Sequence, residues 1–379
     1  MKKRILYLDV LKCIAILCVC SYHFSWVSGT EYTGAMLGDV VWKRVVFGMN
    51  CICVPLFFMV NGSLVFSKEY ESKTWIKNIL YFTGQLFVWR FISILVIGVY
   101  NGIDCTGNGM RYFANGVFFG EFEGINLSHM WFIYALVIVY LLFPFVKKFL
   151  CGGKEESVYL NFFMVTLFVM CFFTKTWTTI VKVFPVLGGI ELENIRKFLG
   201  FDGMYGPMLF YFMLGGIIYF HKERILKWSK KIFVFGIILG TVGVYVKWYY
   251  ESVAINGTYD NVFWGYDCIS GLLLAASVYV FIMCLEEKMV RLPKIIKNGI
   301  ALIGRNTVGV YYLHWIIGMT VLPKVYQVLI NGSDLLLNLA KSIVLVILCS
   351  IISEMVGKIP VLRYLFSARS RIGDWKSEK

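Results

Sequence analysis

The chain has 379 residues, of which 59% are hydrophobic and 16% charged, and its mean hydropathy is +0.71. Soluble domains sit nearer 45–50% apolar with about 25% charged residues, so this composition excludes an ordinary soluble domain and points to a polytopic membrane protein. The net charge of +14 would suggest nucleic-acid binding in a soluble chain; here its distribution reads as membrane topology, and no nucleic-acid partner is expected.

A membrane-spanning helix needs about 20 mostly apolar residues. About ten segments approach that: 7–27, 44–66, 76–100, 129–149, 157–176, 204–221, 231–250, 266–285, 306–328 and 337–357. The fold class expected is therefore an all-α transmembrane helix bundle. The fifth segment is the weakest, and "TTIVKVFPVLGG" after it reads as a re-entrant or interfacial piece. "MKKR" followed by an apolar run resembles a signal peptide, but bulky residues occupy the cleavage region, so a retained first span is expected.

Lys and Arg collect on the cytoplasmic side of membrane proteins. One set of connections is basic ("MKKR", "SKEYESKTWIK", "KKFLCGGK", "HKERILKWSKK", "EEKMVRLPKIIKNG" and the C-terminal tail). The alternate set is poor in cations, so ten spans with both termini in the cytoplasm are expected. The spans occupy residues 1–360, and 361–379 reads as a basic cytoplasmic tail. The outer loop 101–128 is long and rich in Gly and Asn, and with 177–203 it has the length to roof a cavity open to the exterior. The basic loops also suit contact with anionic membrane lipid. The cysteines fall mostly in apolar runs without CxxC or Cys/His spacing, which favours packing and gives no metal site.

Ionisable residues in spans usually face an interior or a water-filled cavity. The first span, "YLDVLKCIAILCVCSYHF", carries Asp9, Lys12 and His23. Lys12 and His23 are eleven residues apart, about three turns and ~16 Å, so they share a helix face. Asp9 is placed to pair with Lys12. A structural reading stands beside the functional one: Lys12 snorkelling to the interface, and His23 in an interhelical contact. The same two readings apply to other polar groups. His129 and Trp131 lie at the outer end of the fourth span. His314 is about eight residues into the ninth, with Arg305 and Asn306 at its inner start. Asn61 and Ser63 lie in the inner half of the second and also suit helix-to-helix glue. Trp248, Tyr249, Tyr250, Trp264 and Tyr266 read as an interfacial aromatic belt.

Several stretches in order resemble one family. They are "YLDVLK" followed after ten residues by His23, "VPLFFMVNGSLVF", "HMWFIYALVIVYLLFP", "YFMLGGIIY", "LIGRNTVGVYYLH" and "KIPVLRYL". Together they resemble the acyltransferase 3 family of membrane-bound sugar and polysaccharide O-acyltransferases, over essentially the whole chain. Two positions depart from its pattern. The family usually has Arg where this chain has Lys12, and Arg-x-x-Arg where this chain has Lys73 and Lys77.

The resemblance implies an acyl-CoA donor, acetyl-CoA or another, taken from the cytoplasm. It implies an acceptor hydroxyl on a glycan or glycolipid reached from the outer side. Lys12, Lys73 and Lys77 are then the candidates for the CoA phosphates. His23 becomes the general base, or else a nucleophile that carries the acyl group, with Asp9 orienting or neutralising Lys12. His129, Trp131, Asn61, Ser63, Arg305 and His314 are candidates for substrate contact. By analogy the expected location is a bacterial inner membrane. Two other readings fit the composition: a transporter or flippase of a lipid-linked sugar or small solute, and a membrane sensor or scaffold on the same fold.

Overall fold

The computed structural model describes residues 4–24, 48–67, 72–104, 109–118, 122, 124–187, 192, 194, 203–249, 265–322 and 335–366. Among these the chain is helical; an isolated bridge between Phe122 and Ile125 is its one extended pairing. The helices of ten or more residues are α1 (Leu6–Phe24), α2 (Cys53–Phe66), α3 (Ser72–Tyr100), α4 (Gly109–Phe118), α5 (Trp131–Leu150), α6 (Lys154–Phe168), α7 (Thr174–Val183), α8 (Tyr205–Phe220), α9 (Ser229–Trp248), α10 (Ile269–Cys284), α11 (Lys294–Thr320) and α12 (Leu335–Val356). A π-helical turn, Val169–Phe173, joins α6 to α7.

All ten apolar segments are helical in their described parts, and seven helical stretches among the described residues are long and apolar enough to cross a membrane. The other three depart for physical reasons. Helices α8 and α10 have 16 residues each, about 24 Å against a hydrocarbon core of about 30 Å. Helix α11 has 27 residues but begins at Lys294 and carries Lys297 and Arg305 in its first half. It starts well before residue 306, because "KIIKNGIALIG" continues the helix toward the basic end. Arg305 and Asn306 therefore lie within α11, about three turns from its start, not at its beginning. The stretch after the fifth segment is a direct helical continuation as far as Val183.

Helix α1 lies at the centre, packed against α2, α11 and α12. Its buried positions Tyr7, Leu8, Leu11, Ala15, Ile16, Val19 and Cys20 recur every three to four residues, the period of a helix face turned to a core. Helices α1 and α11 run parallel: Asp9 lies against Gly304 and Phe24 against Gly318. A Cβ at Gly304 would stand 2.7 Å from Asp9 Oδ1, so the missing side chain makes room for a buried carboxylate. Helices α2 and α8 meet backbone to backbone, where a Cβ at Gly215 would lie 2.0 Å from the Met59 carbonyl oxygen. Small residues permit such close helix contact in a membrane. Ser63 sits in that seam, donating to Gly215 O at 2.8 Å and lying 2.5 Å from Tyr279 Oη.

The periphery is apolar and open, with Val99 75%, Phe162 74% and Phe235 62% exposed on α3, α6 and α9. Such faces suit lipid and would be a liability in water. Charged residues just beyond neighbouring helix ends meet. Lys222, just after α8, pairs with Glu286, just after α10, and its Nζ lies 5.2 Å from the Tyr7 ring centroid near the start of α1. The short helix Arg363–Phe366 docks on α3: Gln85 Nε2 and Trp89 Nε1 donate to the carbonyls of Tyr364 and Leu365 at 2.7 and 2.9 Å. The first residues of the expected tail are thus part of the bundle, and 367–379 lie outside the described residues, as do most of the loops 28–43 and 188–202.

Candidate active site

Three of the four histidines meet near the far ends of α1 and α11, away from the basic end. His23 comes from the last turn of α1, His129 from the 3-10 turn Ser128–Met130 that leads into α5, and His314 from α11. Their ring centroids are 5.6 Å apart for His23 and His314, 5.8 Å for His129 and His314, and 6.3 Å for His23 and His129. Trp315 packs among them, stacked on His129 at 4.3 Å and edge-on to His23 at 5.1 Å. Tyr311 Oη donates to the His129 carbonyl at 2.7 Å, which fixes the turn that carries this ring.

Beside this cluster is a small cavity of about 40 Å³, bordered by His23, His129, Tyr22, Trp131, Tyr266 and Tyr311. Val19, Cys53, Val54 and Phe132 supply apolar wall. Among the described residues that line it, none is Asp, Glu, Lys or Arg. The ring nitrogens of His129 and Nε2 of His314 are buried and have no hydrogen-bond partner. Buried polar atoms are nearly always paired, so such exceptions need a reason, and a functional site is one. Among the described residues no group of three His, Cys, Asp or Glu side chains is placed to hold a metal ion.

The other candidates are elsewhere, and their polar atoms are mostly occupied. Asp9 is 3% exposed. Its Oδ2 accepts from Arg4 Nε, and its Oδ1 lies 3.5 Å from Lys12 Nζ. Arg4 also donates to the Ala301 carbonyl at 3.0 Å. Fourteen residues of continuous helix separate Asp9 from His23, about 21 Å, so Asp9 is out of reach of the cavity. Lys12 and His23 do lie on one unbroken helix. Lys73 and Lys77 are exposed on the first two turns of α3.

Arg305 makes a two-pronged contact with Glu354 of α12, at 2.9 and 3.0 Å, and Asn306 Nδ2 donates to the same carboxylate at 2.7 Å. Asn61 Nδ2 donates to the Phe57 carbonyl at 2.9 Å, one turn back on its own helix. The structure thus brings His23, His129, Trp131 and His314 together, and leaves Asn61, Ser63, Arg305, Asp9 and the lysines outside the cluster.

Sequence reasoning assigned Tyr266 to an outer belt, but it is 3% exposed, lines the cavity, and holds its Oη 3.3 Å from Cys53 Sγ. Tyr250 and Trp264 of the same proposed belt lie outside the described residues. Tyr311 and Trp315 were not singled out, although with His314 they stand at i, i+3 and i+4 on one face of α11. That spacing in "YYLHW" was the available signal. Arg90, also unremarked, is 5% exposed in α3 and donates to the carbonyls of Gly116 and Val117 at 2.7 and 2.6 Å. It ties the end of α4, and with it part of the long loop 101–128, to the bundle.

The family model described as an acyltransferase domain matches residues 5–355. No curated protein and no solved structure matches the chain. The matched span begins before α1 and ends in the last turn of α12, so it takes in the Asp9–Lys12 pair and the histidine cluster. The chain belongs to the acyltransferase 3 family.

Proposed function

We propose that this protein is an integral-membrane O-acyltransferase that moves an acyl group, acetyl in the first instance, from cytoplasmic acyl-CoA to a hydroxyl of a cell-surface glycan or its precursor. The observation that carries this reading is α1 itself. One continuous helix holds Lys12 among the cations of the basic end, and His23 at a cavity about 16 Å away along the axis.

On this reading the basic end is the cytoplasmic one, as its Lys and Arg favour, the cavity faces the exterior, and the membrane is the plasma membrane. CoA is polyanionic, so its phosphates would be met by Lys12 and Arg4, with Lys73 and Lys77 as further contacts. The long thin arm of CoA suits delivery of the thioester into the bundle. The aromatic walls of the cavity (Tyr22, Trp131, Tyr266, Tyr311) suit the apolar faces of a sugar.

In the reaction, the acceptor oxygen attacks the thioester carbonyl while His23 removes the hydroxyl proton. Collapse of the tetrahedral adduct breaks the C–S bond, and the proton passes from His23 to the departing thiolate. The products are an ester and free CoA thiol. A positioned general base contributes about 10²–10⁴-fold, and alignment of donor and acceptor supplies more.

The test is transfer of radiolabelled acetyl from acetyl-CoA in membranes containing the wild type or His23→Ala. Label in the glycan fraction with the wild type, lost in the variant at equal protein level, supports the reading. Equal labelling by both removes His23 as the base. No transfer by the wild type from any acyl-CoA removes the acyltransferase reading.

A further inference from the structure

His129 leaves both of its ring nitrogens unspent. The residue is 5% exposed, and among the described residues neither Nδ1 nor Nε2 has a hydrogen-bond partner. A neutral imidazole carries its hydrogen on one of the two nitrogens, so in either tautomer a buried N–H donor stands without an acceptor. Buried donors are nearly always paired. His314 differs. Its Nδ1 lies 3.1 Å from the Val310 carbonyl, and a carbonyl only accepts, so the hydrogen of the neutral ring is already used and Nε2 is left with a lone pair.

The rest of His129 is held in place. Trp315 stacks on the ring face, with centroids 4.3 Å apart and planes 21° apart, which leaves the ring edge, where the nitrogens lie. Tyr311 Oη donates to the His129 carbonyl at 2.7 Å. On either side, the Ser128 amide donates to Asn126 Oδ1 at 2.7 Å and the Met130 amide to the Leu127 carbonyl at 3.0 Å. The turn leads into the N-terminal end of α5, where the helix dipole favours negative charge. A donor fixed in advance, with no partner in the resting protein, suits a charge that develops only during a reaction.

The position fits such a charge. His129 borders the same cavity as His23, and the ring centroids are 6.3 Å apart. Two imidazoles bonded directly to each other would have centroids roughly 5 Å apart, so the spacing leaves room for a reacting group between the rings.

We propose that His129 is a catalytic residue that donates its ring N–H to the thioester carbonyl oxygen and stabilises the oxyanion of the tetrahedral adduct. The proposal rests on the acyltransferase reading, with His23 as the base. As the acceptor oxygen bonds to the carbonyl carbon, the C=O π pair moves onto oxygen and the His129 N–H bond to it becomes charge-assisted and strengthens. When the C–S bond breaks, that pair re-forms C=O in the ester and the thiolate takes the proton from His23. His129 keeps its own hydrogen throughout.

Two measurements on the full chain in lipid nanodiscs test this. The first compares wild type, His129→Phe and His129→Gln for kcat, KM and the pH–rate profile with labelled acetyl-CoA, each per folded molecule. Phe keeps a stacking ring without a donor. Gln keeps an N–H donor that cannot exchange a proton. The expected result is a kcat loss of about 100-fold or more in His129→Phe, with KM for acetyl-CoA within about threefold, and recovery of at least about tenfold in His129→Gln. The shape of the pH profile should be that of the wild type in both variants. Wild-type kcat in His129→Phe, equal losses in the Phe and Gln variants, or a limb of the pH profile lost in both overturns the proposal, the last because His129 would then be exchanging a proton. No transfer by the wild type from any acyl-CoA removes the acyltransferase reading and this proposal with it, whereas an active wild type with an equally active His129→Phe removes this proposal alone.

The second measurement is ¹⁵N-histidine NMR on the wild type, tractable with four histidines in the chain. The probe is an acetyl-CoA analogue whose thioester sulfur is replaced by methylene, a ketone that keeps the carbonyl but cannot transfer. The expected result is a downfield shift of the His129 N–H on binding. An unchanged His129 signal at saturating analogue overturns the proposal.

Discussion

The two ends of α11 treat buried polar atoms in opposite ways. Toward the basic end, Arg305, Asn306 and Glu354 satisfy one another, and Ser353 Oγ donates to Asn306 Oδ1 at 3.2 Å. About two turns further on, His314 keeps a buried nitrogen without a partner, and so does His129 beside it. An unpaired buried polar group costs about 1–3 kcal/mol, and a fully paired network tightens the helix contact it spans. The paired region reads as structure, and the buried nitrogens of His129 and His314 are the polar atoms that the proposed site leaves open to another role.

Four substitutions would break or sharpen this contrast. The largest effect is expected in the histidine cluster: His23→Ala should lower the acyl-transfer rate by about 10²–10⁴-fold with unchanged thermal unfolding, as read from transfer assays and a melting curve on the same sample. Next, Glu354→Ala should strand Arg305 and Asn306. Arg305 is 36% and Glu354 23% exposed at the side chain, so water softens the loss, and a destabilisation of about 2 kcal/mol is expected. It should appear as a lower unfolding temperature in detergent, while kcat per folded molecule stays within about twofold of wild type.

Lys12→Ala leaves Asp9 with Arg4 as partner and removes one cation from the proposed donor site. KM for acetyl-CoA should rise about tenfold, equivalent to ~1.4 kcal/mol, with Lys12→Arg close to wild type; a titration with acetyl-CoA reads both. The smallest effect is expected for Lys73→Ala combined with Lys77→Ala. Both side chains are exposed and screened by salt, so KM should shift by about twofold at low ionic strength and not at all at 0.5 M salt.

Local pattern carried much of this fold. The ten apolar segments are visible in composition, and the shared face of Lys12 and His23 follows from helix geometry alone, because both residues lie on one uninterrupted helix. His129 and His314 were visible as polar residues in apolar surroundings. Their convergence with His23 was not, since it depends on α1, α5 and α11 meeting at one end of the bundle. The Arg305–Glu354 pair spans two helices, and nothing local to either residue signals the partner. Arg305 thus read as a topology anchor at a span boundary, a boundary that the amphipathic run Lys294–Gly304 in fact moves about three turns earlier. Tyr266 misled for the opposite reason: interfacial aromatics and cavity-lining aromatics have the same local sequence, and only packing against Cys53 and Trp131 separates them.

The central claim is that the histidine cluster does the chemistry and the Arg305–Asn306–Glu354 network holds the bundle. Its most direct test is one side-by-side measurement of acetyl transfer per folded molecule and of unfolding temperature for wild type, His23→Ala and Glu354→Ala. The account predicts that His23→Ala loses transfer and keeps its stability, while Glu354→Ala loses stability and keeps its transfer per folded molecule. Wild-type transfer by His23→Ala, or a loss of transfer by folded Glu354→Ala as deep as that of His23→Ala, would contradict it.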